Sequence, residues 1–220
     1  MISRHPDPEL LVEYTAGGLT TAPAISVTTH LQFCNECRQL AESLEEIGGE
    51  LMNESEAIPV SENLLDEVLA CIDEAAGKQF ATLLAKPQDT EAITGIPKYI
   101  QALLPADSLK WRFLSPSLRA AAISVGEEVH ELALHRIKAG GKAPEHTHRG
   151  IEITVVLKGS FSDKDGIYHP GDFILREAGE IHRPCAARND ECICLSVLEA
   201  PISLTGVKRI FNPFLSFSPC

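Results

Sequence analysis

Hydrophobic positions change their rhythm once along this chain. In the first third they recur three and four apart, the spacing of one helix face. ELLVEYTA follows Pro8, which suits a first helical turn, and Gly17-Gly18 stops it. A second helical pattern runs through ISVTTHLQFC after Pro23, and a third places Leu40, Leu44 and Ile47 on one face of RQLAESLEEIGGELM. A fourth, SENLLDEVLACIDEAAGK, carries Leu64, Leu65, Val68, Leu69 and Ile72 behind a candidate cap, Ser61. Cys71 beside that stripe reads as a small helix residue. Beyond Trp111 the rhythm gives way to short runs separated by turns: AAAISV, HELALHRI, EITVVLKGSF, DFILRE and CICLSVLEA. Strands at such regular spacing predict a β-sandwich or barrel.

The pattern therefore predicts two domains, an all-α domain over residues 1–85 and an all-β domain over 106–202. Residues 86–105, punctuated by Pro87, Gly95, Pro97 and Pro105, read as a linker with a possible short helix in KYIQALL. Residues 203–220 form an apolar tail that covers a sheet edge or stays loose. No run reaches the roughly 20 apolar residues of a membrane span. The start, MISRHPDPELL, lacks a basic segment followed by an apolar one, so the expectation is a cytoplasmic protein without a membrane partner.

Charge sharpens the division. Residues 1–85 hold fifteen acidic and three basic side chains, whereas 86–220 hold sixteen of each. The whole excess of −12 therefore lies in the helical third. Such a surface repels nucleic acid, which argues against a direct DNA-binding regulator, and attracts basic protein partners. Seven cysteines in a chain of this kind point to metal sites, reactive thiols or core packing rather than a disulfide framework.

HLQFCNECRQL holds the first candidate chemistry. His30, Cys34 and Cys37 make H-x3-C-x2-C, a donor set that suits tetrahedral zinc. On one continuous helix their Cα atoms would span about 10 Å at roughly 1.5 Å per residue, too far for one ion. The helix should break near Cys34-Asn35, with Asn35 available to cap the next one. A fourth ligand must come from elsewhere, and His5, ahead of the first helix, is the other histidine of this third. The arrangement resembles the zinc-dependent anti-sigma factors over residues 1–80. That resemblance implies a domain that sequesters an extracytoplasmic-function sigma factor, whose basic DNA-facing surface would suit the acidic charge.

GGKAPEHTHRGIEITVVLKG holds the second. Gly140, His146, His148, Glu152 and Gly159 make G-x5-H-x-H-x3-E-x6-G. His146 and His148, two apart, point the same way on a strand, and Glu152 follows on the same strand or beyond a bend. With His182 the set suits zinc, iron, manganese or nickel. This is similar to the cupin family, a double-stranded β-helix barrel. Of the second cupin motif, Gly171, Gly179 and His182 are present, while Glu177 and Ala186 stand where proline and asparagine are expected. His169 reads as a turn residue, and His130 and His135 as packing or surface groups. Cys192 and Cys194 share one strand face, lining the barrel if inward and packing if outward. Cys185, three residues after His182, is the better candidate for a thiol near the second metal; all three are possible redox thiols.

A zinc anti-sigma motif followed by a cupin resembles the ChrR group of anti-sigma factors across nearly the whole chain. The resemblance implies no catalytic residues. It implies a first zinc site of His5, His30, Cys34 and Cys37, and a second site of His146, His148, Glu152 and His182 for zinc or another divalent transition metal. It also implies release of the sigma factor under singlet oxygen or related oxidants through the cupin domain. The alternative is a metal-dependent cupin enzyme, a dioxygenase or isomerase, with an N-terminal zinc-binding interaction domain.

Overall fold

A computed structural model describes residues 2–72, 96–104 and 109–206. Among the described residues four helices come first: α1 Pro8–Thr15, α2 Thr21–Leu31, α3 Asn35–Asn53 and α4, described over 64–72. Pro8 occupies the first turn of α1, where its missing N–H costs no helical bond. α2 starts at Thr21, four residues ahead of the ISVTTHLQFC pattern, because Pro23 sits inside its first turn rather than ahead of it. Lys98–Leu103 form α5, inside the KYIQALL segment. Most of the expected linker and of the tail falls outside the described residues.

Among the described residues twelve strands follow: β1 Arg112–Ser115, β2 Leu118–Ala122, β3 Glu131–Ile137, β4 His146–Thr147, β5 Glu152–Lys158, β6 Phe161–Asp163, β7 Gly166–Tyr168, β8 Phe173–Arg176, β9 Ile181–His182, β10 Cys185–Ala186, β11 Cys192–Leu198 and β12 Ser203–Leu204. They build a six-stranded sheet, β1-β2-β3-β11-β5-β8, and two three-stranded sheets, β10-β6-β7 and β12-β4-β9. All the pairings are antiparallel.

The central strands read as nearly unbroken apolar runs because both faces of the large sheet are covered. On one face, Leu134, Ile153, Val155, Leu195 and Val197 join a cluster with Leu11, Val27 and Ile100 of the helices. On the other, Ile137, Val156, Ile174, Cys192 and Cys194 turn toward the small sheets. Helical and β parts thus share one hydrophobic core. The period of two along β5 and β11 decides which face each residue serves.

Gly159, between β5 and β6, adopts φ 70°, and a Cβ there would lie 2.0 Å from the carbonyl oxygen of Glu191. The connection from β5 to β6 can pass so close to the Glu191 backbone only without a side chain.

Candidate metal centres

The first cluster forms where α2 ends and α3 begins. His30 lies in the last turn of α2 and is fully buried. Its Nδ1–H donates to the Gly171 carbonyl at 2.6 Å, so Nε2 carries the lone pair and has no partner. α2 stops at Leu31, and the Cys34 N–H still bonds to the His30 carbonyl at 3.0 Å. The break falls where the spacing argument put it, but the cap differs. Cys34, not Asn35, is the N-cap of α3, and its Sγ accepts the Cys37 N–H at 3.5 Å. A sulfur that accepts that bond is already oriented toward the same point as Cys37.

His5, on the segment before α1, folds back. Its Nδ1 stands 3.3 Å from Cys37 Sγ and 3.4 Å from Cys34 Sγ. The four donor atoms all lie within 4.8 Å of one another. Donors around a tetrahedral zinc sit roughly 3.3–3.8 Å apart, given bonds of about 2.0–2.3 Å. Burial, reinforced by the neighbouring Cys34 sulfur, pushes the Cys37 thiol up to about 12. Burial also holds His30 below its ordinary value, as a neutral imidazole. Such a set fits a cation, which would stabilise the thiolate and take the free lone pair.

The second cluster lies between the sheets. His146, on β4, pairs across to His182 on β9. His148 follows β4 directly, and Glu152 opens β5 beyond the bend at 149–151. The four donor atoms again lie within 4.8 Å of one another, and all four residues are buried. The His146 Nδ1–H donates to the Pro144 carbonyl at 2.8 Å, and the His182 Nδ1 faces Asp163 Oδ2 at 3.4 Å. Both rings therefore aim Nε2 lone pairs at each other across 3.0 Å. His148 Nε2 lies 3.1 Å from His182 Nε2 and 3.2 Å from Glu152 Oε2.

Burial pushes His148 and His182 down to about 3, so both offer neutral imidazoles. The three-imidazole, one-carboxylate set fits a divalent transition metal. Burial raises Glu152 to about 7.

Outside this set lies a shell that the sequence pattern did not single out. Asp163 Oδ2 accepts Arg176 Nη2 at 2.5 Å as well as facing His182, and Asp163 Oδ1 accepts the Tyr168 hydroxyl at 3.0 Å. Arg176, buried at the end of β8, also reaches Asp165 and Glu180 at 2.9 Å each. In DFILRE nothing local marks Arg176; only the fold shows that it anchors the carboxylate behind His182.

A cavity of about 230 Å³ adjoins the cluster, with Leu118, Phe161, Leu198 and Ile202 among its walls. Cys194 lines it and lies 3.6 Å from Cys192, sulfur to sulfur, so the pair faces inward. The Cys192 thiol and burial push Cys194 well above the usual thiol range. Cys185 lines a separate opening with Asp163 and His182. His135 packs against Ser196 at 3.0 Å, with burial pushing it down to about 4. His130 bonds Glu127 and Thr20, and His169 is an exposed turn residue.

Three comparisons meet on this architecture. Residues 101–200 match the family model described as the ChrR Cupin-like domain. The chain is 33% identical over 214 residues to the anti-sigma-E factor ChrR of Cereibacter sphaeroides, covering 97% of this chain and 98% of that protein. Among solved structures it is similar to the crystal structure of Rhodobacter sphaeroides SigE in complex with the anti-sigma ChrR. The TM-score there is 0.71 at 31% identity, with 90% of this chain and 100% of that one covered.

Proposed function

Because the chain belongs to the ChrR family of anti-sigma factors, we propose that it sequesters an extracytoplasmic-function sigma factor and releases it under singlet oxygen or related oxidants sensed through the cupin domain. The observation that carries this reading is the full-length likeness to an anti-sigma factor, helical part and cupin together. The surface supports it. Ile47, Leu51 and Met52 of α3 are at least 57% exposed, and Leu64, Leu65, Val68, Leu69 and Ile72 of α4 at least 39%. An apolar stripe of this kind is the usual mark of a protein-binding face. Fifteen acidic residues in the same third suit a basic partner.

On this reading His5, His30, Cys34 and Cys37 hold a structural zinc, which would supply folding energy to a small helical domain. His146, His148, Glu152 and His182 hold zinc or another divalent metal inside the cupin. Among the described residues no helix is long and apolar enough to cross a membrane, and we place the activity in the cytoplasm. The cavity beside the second cluster is what an enzyme would also use. The regulator reading ranks first because it accounts for the helical part and its exposed stripe as well.

Co-expression with the sigma factor encoded nearest to it tests the proposal. The full chain should co-purify with that sigma factor and repress its reporter. A chain that ignores the sigma factor but turns over a small substrate through the cupin would replace this reading by the enzymatic one.

The pH dependence of metal uptake at the cupin is a separate expectation. Glu152, raised to about 7, carries a proton below that pH and has lost it above. The imidazoles of His148 and His182, lowered to about 3, are already neutral throughout. Uptake should therefore release about one proton near pH 6 and almost none near pH 8. Calorimetry in buffers of different ionisation enthalpy, with the first site already filled, measures it. Glu152→Gln should abolish the release at both pH values. A release that persists in that variant would assign the proton to another group.

A further inference from the structure

The β domain bonds one histidine of the first cluster, His30, and the segment that leads into the other, His5. Asp172, at the start of β8, is fully buried, and its carboxylate takes bonds from the N-terminal segment. Oδ1 accepts the Ser3 N–H at 2.7 Å and the Arg4 N–H at 3.0 Å; Oδ2 accepts the His169 N–H at 2.7 Å. The Ser3 hydroxyl adds longer contacts at 3.4 and 3.5 Å. The Phe173 N–H then donates to the Arg4 carbonyl at 3.0 Å. Residues 3 and 4 are thus fastened to the β7–β8 turn immediately before His5.

The neighbouring Gly171 carbonyl takes the His30 Nδ1–H at 2.6 Å. Gly171 adopts φ 93°, and a Cβ there would stand 2.7 Å from Phe33 Cβ and 2.8 Å from Ile2 Cδ1. One turn therefore bonds His30 directly and holds the two residues just ahead of His5, while the two sulfurs come from the start of α3. β7, which leads into this turn, carries Tyr168, whose hydroxyl bonds the Asp163 carboxylate that faces His182 of the other cluster.

We propose that Asp172 is a positioning residue for the first metal centre: through the β7–β8 turn the cupin domain latches His5 into place and thereby sets the zinc affinity of the helical domain. The proposal rests on the reading of that cluster as a zinc site. The physical reason is preorganisation. His5 sits on a short segment ahead of α1, and a free segment would have to be ordered each time the metal binds. The Asp172 bonds order it beforehand. The Gly171 carbonyl does the same for His30 by fixing its tautomer and ring orientation.

The test uses the full chain loaded with cobalt(II). Only a centre with thiolate ligands gives a thiolate-to-cobalt charge-transfer band, so the first site is read independently of the second. Two variants are titrated with a chelator. Asp172→Ala removes the acceptor, and Ser3→Pro removes the shorter main-chain donor without altering the turn. Both should release the thiolate-bound cobalt about 10–100-fold more readily, the usual cost of losing an outer partner, with circular dichroism unchanged. Wild-type affinity in both variants overturns the latch. A loss confined to Asp172→Ala assigns the effect to the turn itself and also overturns it. Should Asp172→Ala fail to fold, Ser3→Pro decides. A wild-type chain with no charge-transfer band would instead remove the zinc reading on which the latch stands.

Discussion

Replacing Cys34 and Cys37 together by alanine strips the first centre of metal and abolishes repression of the sigma factor. Two of the four donors disappear, and the remaining pair, His5 and His30, cannot enclose a tetrahedral zinc. Structural zinc sites of this type carry apparent binding energies on the order of 10 kcal/mol, which is folding energy for the domain that holds them. The substitution also removes the sulfur that caps α3, since Cys34 Sγ accepts the Cys37 N–H, at a further cost of about 1 kcal/mol. α3 carries part of the exposed apolar stripe, so its start and its orientation against α2 are lost with the metal. The expected outcome is a sigma-dependent reporter at the level seen without the protein, together with one metal equivalent fewer by elemental analysis. A double variant that keeps a full equivalent at that domain, or still represses, contradicts the assignment.

His146→Ala with His148→Ala should produce the opposite phenotype: repression intact and release lost. The two imidazoles are half of the second donor set, so metal affinity there should fall by more than the 10–100-fold that the loss of an outer partner costs. The fold should survive. Both rings stand on or just after β4, in a small sheet across the sandwich from the helices, and the large sheet keeps its core on both faces. The exposed stripe on α3 and α4 and the Asp172 contacts are untouched. A sigma-dependent reporter should therefore stay low in the dark and stay low under photosensitised illumination. Normal induction in a variant shown to lack metal at that site would remove the cupin metal from the sensing step.

Both variants were legible in the sequence because their residues are close together along it. H-x3-C-x2-C and G-x5-H-x-H-x3-E-x6-G are local patterns, and local spacing on a helix end or a strand dictates which side chains share a face. The helix break near Cys34-Asn35 followed from reach alone, since one ion cannot span a continuous helix from His30 to Cys37. The identity of the cap did not follow. Asn is the commoner capping residue, but here a sulfur already needed at the centre takes the Cys37 N–H. The orientation of Cys192 and Cys194 was open in the same way. A period of two says that they share a face; the packing of α2 on the far side of β11 says which one.

What the sequence by itself determined is the helical character of the first third, the longer strands β2, β3, β5, β8 and β11, the acidic character of the helical third and the two donor sets, because these depend on short-range periodicity and composition; the short strands, such as β4, β9 and β10, have too few residues to show a period. What only the tertiary structure decided is how the two parts are joined. Ser3 meets Asp172 across 169 positions, and His30 meets the Gly171 carbonyl across 141. In the sequence Asp172 is one residue of the turn HPGDF, and nothing local separates it from an ordinary turn aspartate. Its role comes from the helices packing on the large sheet, which brings the chain's start beside the β7–β8 turn. Apolar burial drives that packing without direction, and the buried carboxylate, by demanding hydrogen-bond donors, fixes where the N-terminal segment lies.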